Sequence, residues 1–132
     1  MIHILETERL YLREYQENDF SIFHEIFSDS DTMRYYPSPF TKEQTRTWMR
    51  RNYERYQPDG YGLWAVCLKE SDKLIGDCGL STQTIKGLTE VEIGYHINKE
   101  YWSKGYASEA AVSCKEYAFN SLKLNNINNL SQ

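Results

Sequence analysis

No stretch of this sequence is long and apolar enough to cross a bilayer, and no basic segment followed by an apolar run stands at its start. Positive charge is not in surplus either. Fifteen Lys and Arg against nineteen Asp and Glu leave a net charge of −4, the wrong sign for a surface that follows a phosphate backbone. Cysteine is scarce and odd in number: Cys67, Cys78 and Cys114 fall at no metal-ligand spacing. Two lie in strand-like runs and one on the apolar face of a helical pattern, which predicts buried free thiols, a reducing compartment and no metal. Internal repeats are absent, and so is low-complexity sequence apart from an asparagine cluster at the end. These absences predict a soluble, cytoplasmic protein with neither membrane nor nucleic acid as partner. The negative charge suits a cationic substrate such as an amine, and equally serves solubility alone.

What is present fits one domain, residues 1–132, with 40% hydrophobic and 26% charged residues. Eleven tyrosines and three tryptophans suit either a tightly packed core or an aromatic-lined groove. Leu10 and Leu12 mark a first strand. Asn18 or Asp19 can cap a helix whose Phe20, Phe23 and Phe27 share a face, ending in the polar turn Ser28-Asp-Ser-Asp31. Pro37 and Pro39 interrupt the chain. Thr41 and Gln44 then form a capping box before a helix carrying Trp48, Met49, Tyr53 and Tyr56, which Gln57-Pro-Asp-Gly60 stops. Strands follow over Tyr61–Lys69 and Leu74–Ser81, joined by Glu70-Ser-Asp-Lys73. The order of strand, two helices, three antiparallel strands and a helix predicts an α+β fold.

One stretch organises the rest. From Glu90, the residues Val91, Ile93, Tyr95 and Ile97 alternate with Glu92, Gly94, His96 and Asn98, the period of a half-buried strand. From Ala107 the period becomes helical through Ala110, Ala111, Cys114, Tyr117, Ala118 and Leu122. Between them lies Trp102-Ser-Lys-Gly-Tyr-Ala107. A helix start carries unpaired backbone N–H groups and a positive dipole end, so it can seat a phosphate. Gly105 permits close approach of a ligand to the backbone, and Lys104 adds charge. Taken alone, the glycine also suits a plain turn into a helix.

This loop resembles the pyrophosphate-binding loop of the GCN5-related N-acetyltransferases, in which Gln or Arg is followed after two residues by Gly and, one residue later, Gly or Ala. Gly105 and Ala107 match, while Trp102 departs from the first position. The run Tyr-Trp-Ser-Lys-Gly-Tyr-Ala107 is similar to the branch containing the ribosomal-protein alanine N-acetyltransferases. Glu6-Thr-Glu-Arg-Leu-Tyr-Leu-Arg13 resembles that branch's opening strand, and Glu92-Ile-Gly-Tyr95 its fourth. The resemblance runs from about Glu6 to Leu124. It implies a mixed, mainly antiparallel sheet flanked by helices, and acetyl-CoA as cosubstrate. Relatives continue beyond Leu124 into a fifth strand, a helix and two closing strands. Here Asn125-Asn-Ile-Asn-Asn-Leu-Ser-Gln132 is too polar and short to read as a core strand, which predicts a domain lacking the family's C-terminal strands. An uncovered sheet edge would then invite a homodimer.

Carried over residue by residue, the resemblance implies phosphate contacts from Lys104, Gly105, Tyr106, Ala107 and Ser108, and strand contacts to the pantetheine arm from Tyr95, His96 and Ile97. Tyr35 and Tyr36 fall in the loop that covers the acceptor, where they line it or simply pack. Transfer to an amine requires loss of a proton, since a primary ammonium with a pKa of about 10.4 is not nucleophilic at neutral pH. Glu92 is the leading candidate for the base; a solvent-facing strand glutamate is the plainer reading. His96 shares its face and carries an imidazole, a group that titrates near neutrality, but a strand histidine also serves packing. No counterpart of the family's general acid for the departing thiol is present. Cys67, Cys78 and Cys114 show no local base pairing that would suggest a nucleophile, so direct transfer without an acetyl-enzyme is expected. The expected function is therefore an acetyl-CoA-dependent N-acetyltransferase of a protein N-terminus or small amine. The alternatives are an inactive CoA-binding or self-associating domain and, more remotely, a nucleotide-binding module.

Overall fold

The structure, a computed structural model, describes residues 2–124 and 127–129. Of the asparagine-rich ending, residues 125, 126 and 130–132 therefore lie outside the described residues. Six strands form one sheet in chain order: β1 (Leu5–Glu6), β2 (Leu10–Arg13), β3 (Leu63–Leu68), β4 (Leu74–Ile85), β5 (Leu88–Ile97) and β6 (Ile127–Asn129). Neighbours from β1 to β5 run antiparallel, and β6 lies parallel to β5. Three helices complete the described fold: α1 (Phe20–Phe27), α2 (Lys42–Asp59) and α3 (Tyr106–Asn120). This is the expected α+β arrangement.

The helices form two layers. Ala110, Cys114 and Ala118 of α3 join Leu10, Leu12, Trp64, Val66, Ile75, Cys78, Leu80, Val91 and Ile93 in a core on one face of the sheet. Phe23, Ile26 and Phe27 of α1 and Met49 of α2 join Tyr11, Tyr15, Ala65, Cys67 and Leu74 on the other. Alternation along β2 serves both layers: Leu10 and Leu12 face α3, and Tyr11 faces α1 and α2. A strand covered on both sides must be buried throughout, and all six residues of β3 are. Truncating one of its larger side chains, such as Leu63 to alanine, would cost about 2–5 kcal/mol.

Local chemistry explains most boundaries. Thr41 and Gln44 cap α2 as expected, with Thr41 Oγ1 accepting from Gln44 N and Gln44 Oε1 from Thr41 N. Asp19 stands at the N-cap of α1, but its side chain is turned elsewhere. It accepts from Gln16 N at 2.8 Å and forms a buried ion pair with Arg13 at 2.8 Å, so the helix start is set by a preceding 3-10 turn, Glu17–Asp19. Helix α2 runs through Pro58 to Asp59 before Gly60 ends it in a left-handed conformation, φ 79°. The proline costs only one hydrogen bond in a last turn, and the stop falls within the expected Gln57-Pro-Asp-Gly60. Strand β4 extends to Ile85, past the expected Ser81, and pairs with β5 through a two-residue turn, Lys86 (φ 52°) and Gly87 (φ 80°).

Two differences bear on function. The polar set on β5 does not face solvent: Glu92 is 8% exposed and His96 3%, the latter beneath Phe27 of α1 and Trp48 of α2. And Ile127–Asn129 forms a strand despite its polarity, since ladder pairing uses backbone groups alone. Its pairing is short, Val91 with Ile127 through Ile93 with Asn129. Beyond Ile93, no strand lies beside that edge of β5 among the described residues.

Candidate active site

At its end β5 turns through a short 3-10 segment, Lys99–Tyr101, into the loop that starts α3. Asn98 caps this turn by accepting from Glu100 N at 2.9 Å. Trp102 then folds back so that Nε1 donates to the Ile97 carbonyl at 2.7 Å. Ser103 (φ 63°) and Gly105 (φ 84°) are both left-handed, and Gly105 is the N-cap of α3. Glycine takes that conformation without the penalty a side chain would incur. No side chain caps the helix. Its first N–H groups, from Tyr106, Ala107 and Ser108, are therefore available at the positive end of the dipole.

The loop is held from beneath by Arg9, just ahead of β2. Its Nη1 donates to the Lys104 carbonyl at 3.0 Å, its guanidinium lies 4.3 Å over the Tyr106 ring, and its Nε pairs with Glu109 at 2.7 Å. Glu109 also accepts from Arg9 N at 2.8 Å and from Thr7 Oγ1. Burial opposes the Glu109 charge and is the largest single influence on it. The donors from Thr7 and Arg9 together outweigh that influence and hold the carboxyl below its ordinary value.

Opposite this loop stands the segment between α1 and α2. Lys99 ties it down through Asp29 at 3.2 Å and Asp31 at 3.4 Å, and Asp29 accepts from Thr32 N and Oγ1, each at 2.9 Å. Between the two walls opens a cleft of about 270 Å³, lined by Thr32, Arg34, Tyr95, His96, Ile97, Tyr101, Trp102, Ser103 and Gly105 through Ser108. Arg34 reaches across it, with its guanidinium 5.2 Å from the Trp102 ring centre and 4.9 Å from that of Tyr35.

One wall of the cleft runs into a buried polar network. His96 Nδ1 lies 2.9 Å from Asp77 Oδ1, which also accepts from His96 N at 3.0 Å. The other oxygen, Oδ2, accepts from Tyr15 OH at 2.5 Å and Trp48 Nε1 at 3.1 Å. Asp77 is 0% exposed. A carboxylate accepts, so Nδ1 carries a hydrogen towards Asp77, and in the neutral imidazole Nε2 is then the acceptor. Tyr36 OH lies 3.0 Å from that Nε2. Gly76, beside Asp77, allows β4 to come this close to β5, since a Cβ there would collide with the His96 carbonyl oxygen.

The sequence matches the family described as Acetyltransferase (GNAT) domain over residues 9–129. It is 38% identical to the uncharacterized protein YkkB of Bacillus subtilis strain 168 over 117 residues, 88% of this chain and 68% of the relative. It is 35% identical over 124 residues to the uncharacterized N-acetyltransferase YnaD of the same organism, 93% of this chain and 69% of the relative. A crystal structure of a GNAT-family acetyltransferase from Bacillus anthracis superposes with a TM-score of 0.77 at 35% identity, covering 93% of this chain and 70% of that one. The chain belongs to the GNAT acetyltransferase family. Membership implies acetyl transfer from acetyl-CoA, and the expected fold agrees with that of the family.

Within this GNAT domain, the residues named from sequence divide by position. Tyr95, His96, Ile97, Gly105, Tyr106, Ala107 and Ser108 share the cleft lining; Lys104 is in the same loop but outside that lining, exposed, with its carbonyl engaged by Arg9. Trp102, where the family pattern has Gln or Arg, closes the loop onto β5 through the Ile97 carbonyl. Tyr36 reaches His96, whereas Tyr35 points outward at 69% exposure. Glu92 is buried away from the lining, and its carboxylate has no hydrogen-bond or ion-pair partner among the described residues. Asp77, Arg9 and Arg34 were not singled out from sequence. The signal for Asp77 was available: an aspartate between glycines inside the apolar strand Leu74-Ile-Gly-Asp-Cys-Gly-Leu80. All three cysteines are buried and free. Among the described residues no group of His, Cys, Asp and Glu could hold a metal, and no helix is long and apolar enough to cross a membrane.

Proposed function

We propose that this chain is an N-acetyltransferase that passes the acetyl group of acetyl-CoA directly to a primary amine, on a protein N-terminus or a small molecule. One observation carries the reading. The side-chain-free N-terminus of α3, begun by left-handed Gly105, and the strandless edge of β5 beyond Ile93 open into the same cleft. The N–H groups of Tyr106, Ala107 and Ser108 would hold the diphosphate of CoA, with Lys104 and Arg34 adding positive charge nearby. The edge of β5 beyond Ile93 would pair with the amides of the pantetheine arm, and an N–H there would support the oxyanion formed at the thioester carbonyl. Cys78 and Cys114 are sealed in the core beneath α3, and Cys67 lies in the opposite layer, which favours direct attack over an acetyl-cysteine route.

The test is release of CoA thiol from acetyl-CoA in the presence of small amines and N-terminal peptides, beside the melting temperature with CoA. A ligand bound only by the folded chain raises Tm by mass action, by about 2.7 kcal/mol of stability at a hundredfold excess over Kd. A Tm rise with CoA and thiol release dependent on the amine are expected. An unmoved Tm at millimolar CoA would refute the proposal.

A further inference from the structure

We propose that the proton leaving the acceptor amine is taken by a relay, Tyr36–His96–Asp77, in which the Tyr36 hydroxyl meets the nitrogen while His96 and Asp77 act behind it as positioning residues. This rests on the amine-acetylation reading above. The geometry is directional. In the neutral imidazole with its hydrogen on Nδ1 towards Asp77, Nε2 is the acceptor, and the partner within reach is the Tyr36 hydroxyl at 3.0 Å. Donating to Nε2 leaves the Tyr36 oxygen's lone pairs free for a proton from outside.

The surroundings keep this arrangement fixed. The His96 ring meets the rings of Phe27, Trp48 and Tyr36, with centroids 5.1, 5.4 and 5.7 Å away. Tyr15 and Trp48 occupy the second oxygen of Asp77. Asp77 is the charged side chain paired with His96 among the described residues; Tyr15, Tyr36 and Trp48 complete the polar groups facing the pair from the other elements. Burial pushes the Tyr36 phenol up to about 12, with the Asp77 charge adding to the effect. The phenol therefore keeps its own proton at neutral pH, so a proton arriving at its oxygen has to be handed on, and the acceptor within reach is His96 Nε2 at 3.0 Å.

The step balances as follows. An ammonium N–H breaks as its proton passes to the Tyr36 oxygen, while the phenolic proton moves to His96 Nε2, leaving an imidazolium beside the Asp77 carboxylate. The freed amine forms the C–N bond to the acetyl carbon, the C–S bond breaks, and the second nitrogen proton neutralises the departing thiolate. His96 returns its proton through Tyr36 to solvent. Glu92 shares the strand face but lies four residues earlier, about 13 Å away along an ordinary strand, whereas Tyr36, itself outside the cleft lining, is within hydrogen-bond reach of His96, which lines the cleft.

Steady-state acetylation of one amine by Tyr36→Phe, His96→Gln, the double variant and Glu92→Gln tests this, with CoA affinity measured in parallel. Tyr36→Phe should lower kcat by about a hundredfold or more while leaving CoA affinity unchanged. With a small amine of pKa about 10.4 as acceptor, its deficit should shrink about tenfold per pH unit from pH 7 to 9, because the share arriving as free amine rises about tenfold per unit. His96→Gln should add little to Tyr36→Phe, as members of one unit do. A deficit independent of pH, or wild-type kcat in Tyr36→Phe beside loss in Glu92→Gln, overturns the relay and leaves the acetyltransferase standing. A wild-type chain that binds CoA yet acetylates no amine overturns both.

Discussion

Replacing Gly105 tests the loop most directly, because two penalties fall on one atom. The residue sits at φ 84° and ψ 4°, and an added Cβ would stand 3.3 Å from Arg9 Nη2. A left-handed alanine costs about 1–2 kcal/mol, and a β-branched valine more. For a domain of this size, 1–2 kcal/mol corresponds to a Tm lowered by about 4–8 °C. The contact adds a second effect, since the guanidinium that must give way also holds the Lys104 carbonyl at 3.0 Å and covers the Tyr106 ring. Turning the first N–H groups of α3 away from a diphosphate would forfeit one or two charge-assisted hydrogen bonds, about 2–3 kcal/mol. That corresponds to CoA bound about 30- to 150-fold more weakly. Calorimetric titration of Gly105→Ala and Gly105→Val with CoA, beside their melting curves, measures both quantities. A folded Gly105→Val chain that binds CoA within twofold of wild type would refute the assignment of the diphosphate to this loop.

Three further changes probe the supports. Glu109→Gln should cost about 1–2 kcal/mol at pH 7, because it weakens acceptance from Thr7 and Arg9. The folded Glu109 carboxyl lies below its ordinary value, so its stabilisation is complete above that value, about 4.3, and disappears as pH falls through the folded one. The Tm gap between wild type and variant should accordingly hold from pH 7 to about 5.5 and close towards pH 3; a gap unchanged at pH 3 counts against the ionic account. Trp102→Phe removes the 2.7 Å bond to the Ile97 carbonyl and should lower stability in urea by about 1 kcal/mol and weaken CoA binding; equal Cm and affinity would mean the indole only packs. Cys78 and Cys114 lie 3.7 Å apart and fully buried, and the hydrogen bond between them, then burial, raises the Cys78 thiol well above its ordinary value. The native protein should leave both unlabelled by a thiol reagent that reacts with all three cysteines in denaturant, and rapid native labelling would contradict this packing.

Much of this fold was legible because its signals are local. The Thr41–Gln44 box, the alternation through Val91, Ile93 and Tyr95, and the small-residue stripe of Ala110, Cys114 and Ala118 each declare an element by side chains near in sequence. Gly105 was readable for the same reason. What escaped depends on residues brought together across the sheet. Arg9 precedes the loop it supports by 95 positions at the Lys104 carbonyl, and Asp77 is 19 positions from His96. The face of β5 carrying Glu92 and His96 alternates as a solvent-facing strand would, and only the packing of Phe27 and Trp48 over His96 shows it to be interior. Strand β6 escaped for another reason: polar side chains hide a segment whose pairing needs only its backbone.

The buried network also bears on why these side chains occupy this layer. Phe23, Phe27, Met49 and Ala65 show that the space between the sheet and α1 and α2 accepts apolar side chains readily. Leucine or phenylalanine in place of Asp77, His96 and Tyr15 could fill similar volume, and exchanging a buried ionic cluster for apolar residues is often neutral or stabilising. Packing therefore gives no reason to carry a carboxylate with all four of its hydrogen bonds made inside the protein, from His96 N, His96 Nδ1, Tyr15 and Trp48. Those bonds offset the cost of burying the charge, and their geometry delivers one outcome: a cleft-lining imidazole whose second nitrogen meets the Tyr36 hydroxyl. Polarity retained where an apolar core would serve stability as well is expected at a site maintained for its chemistry.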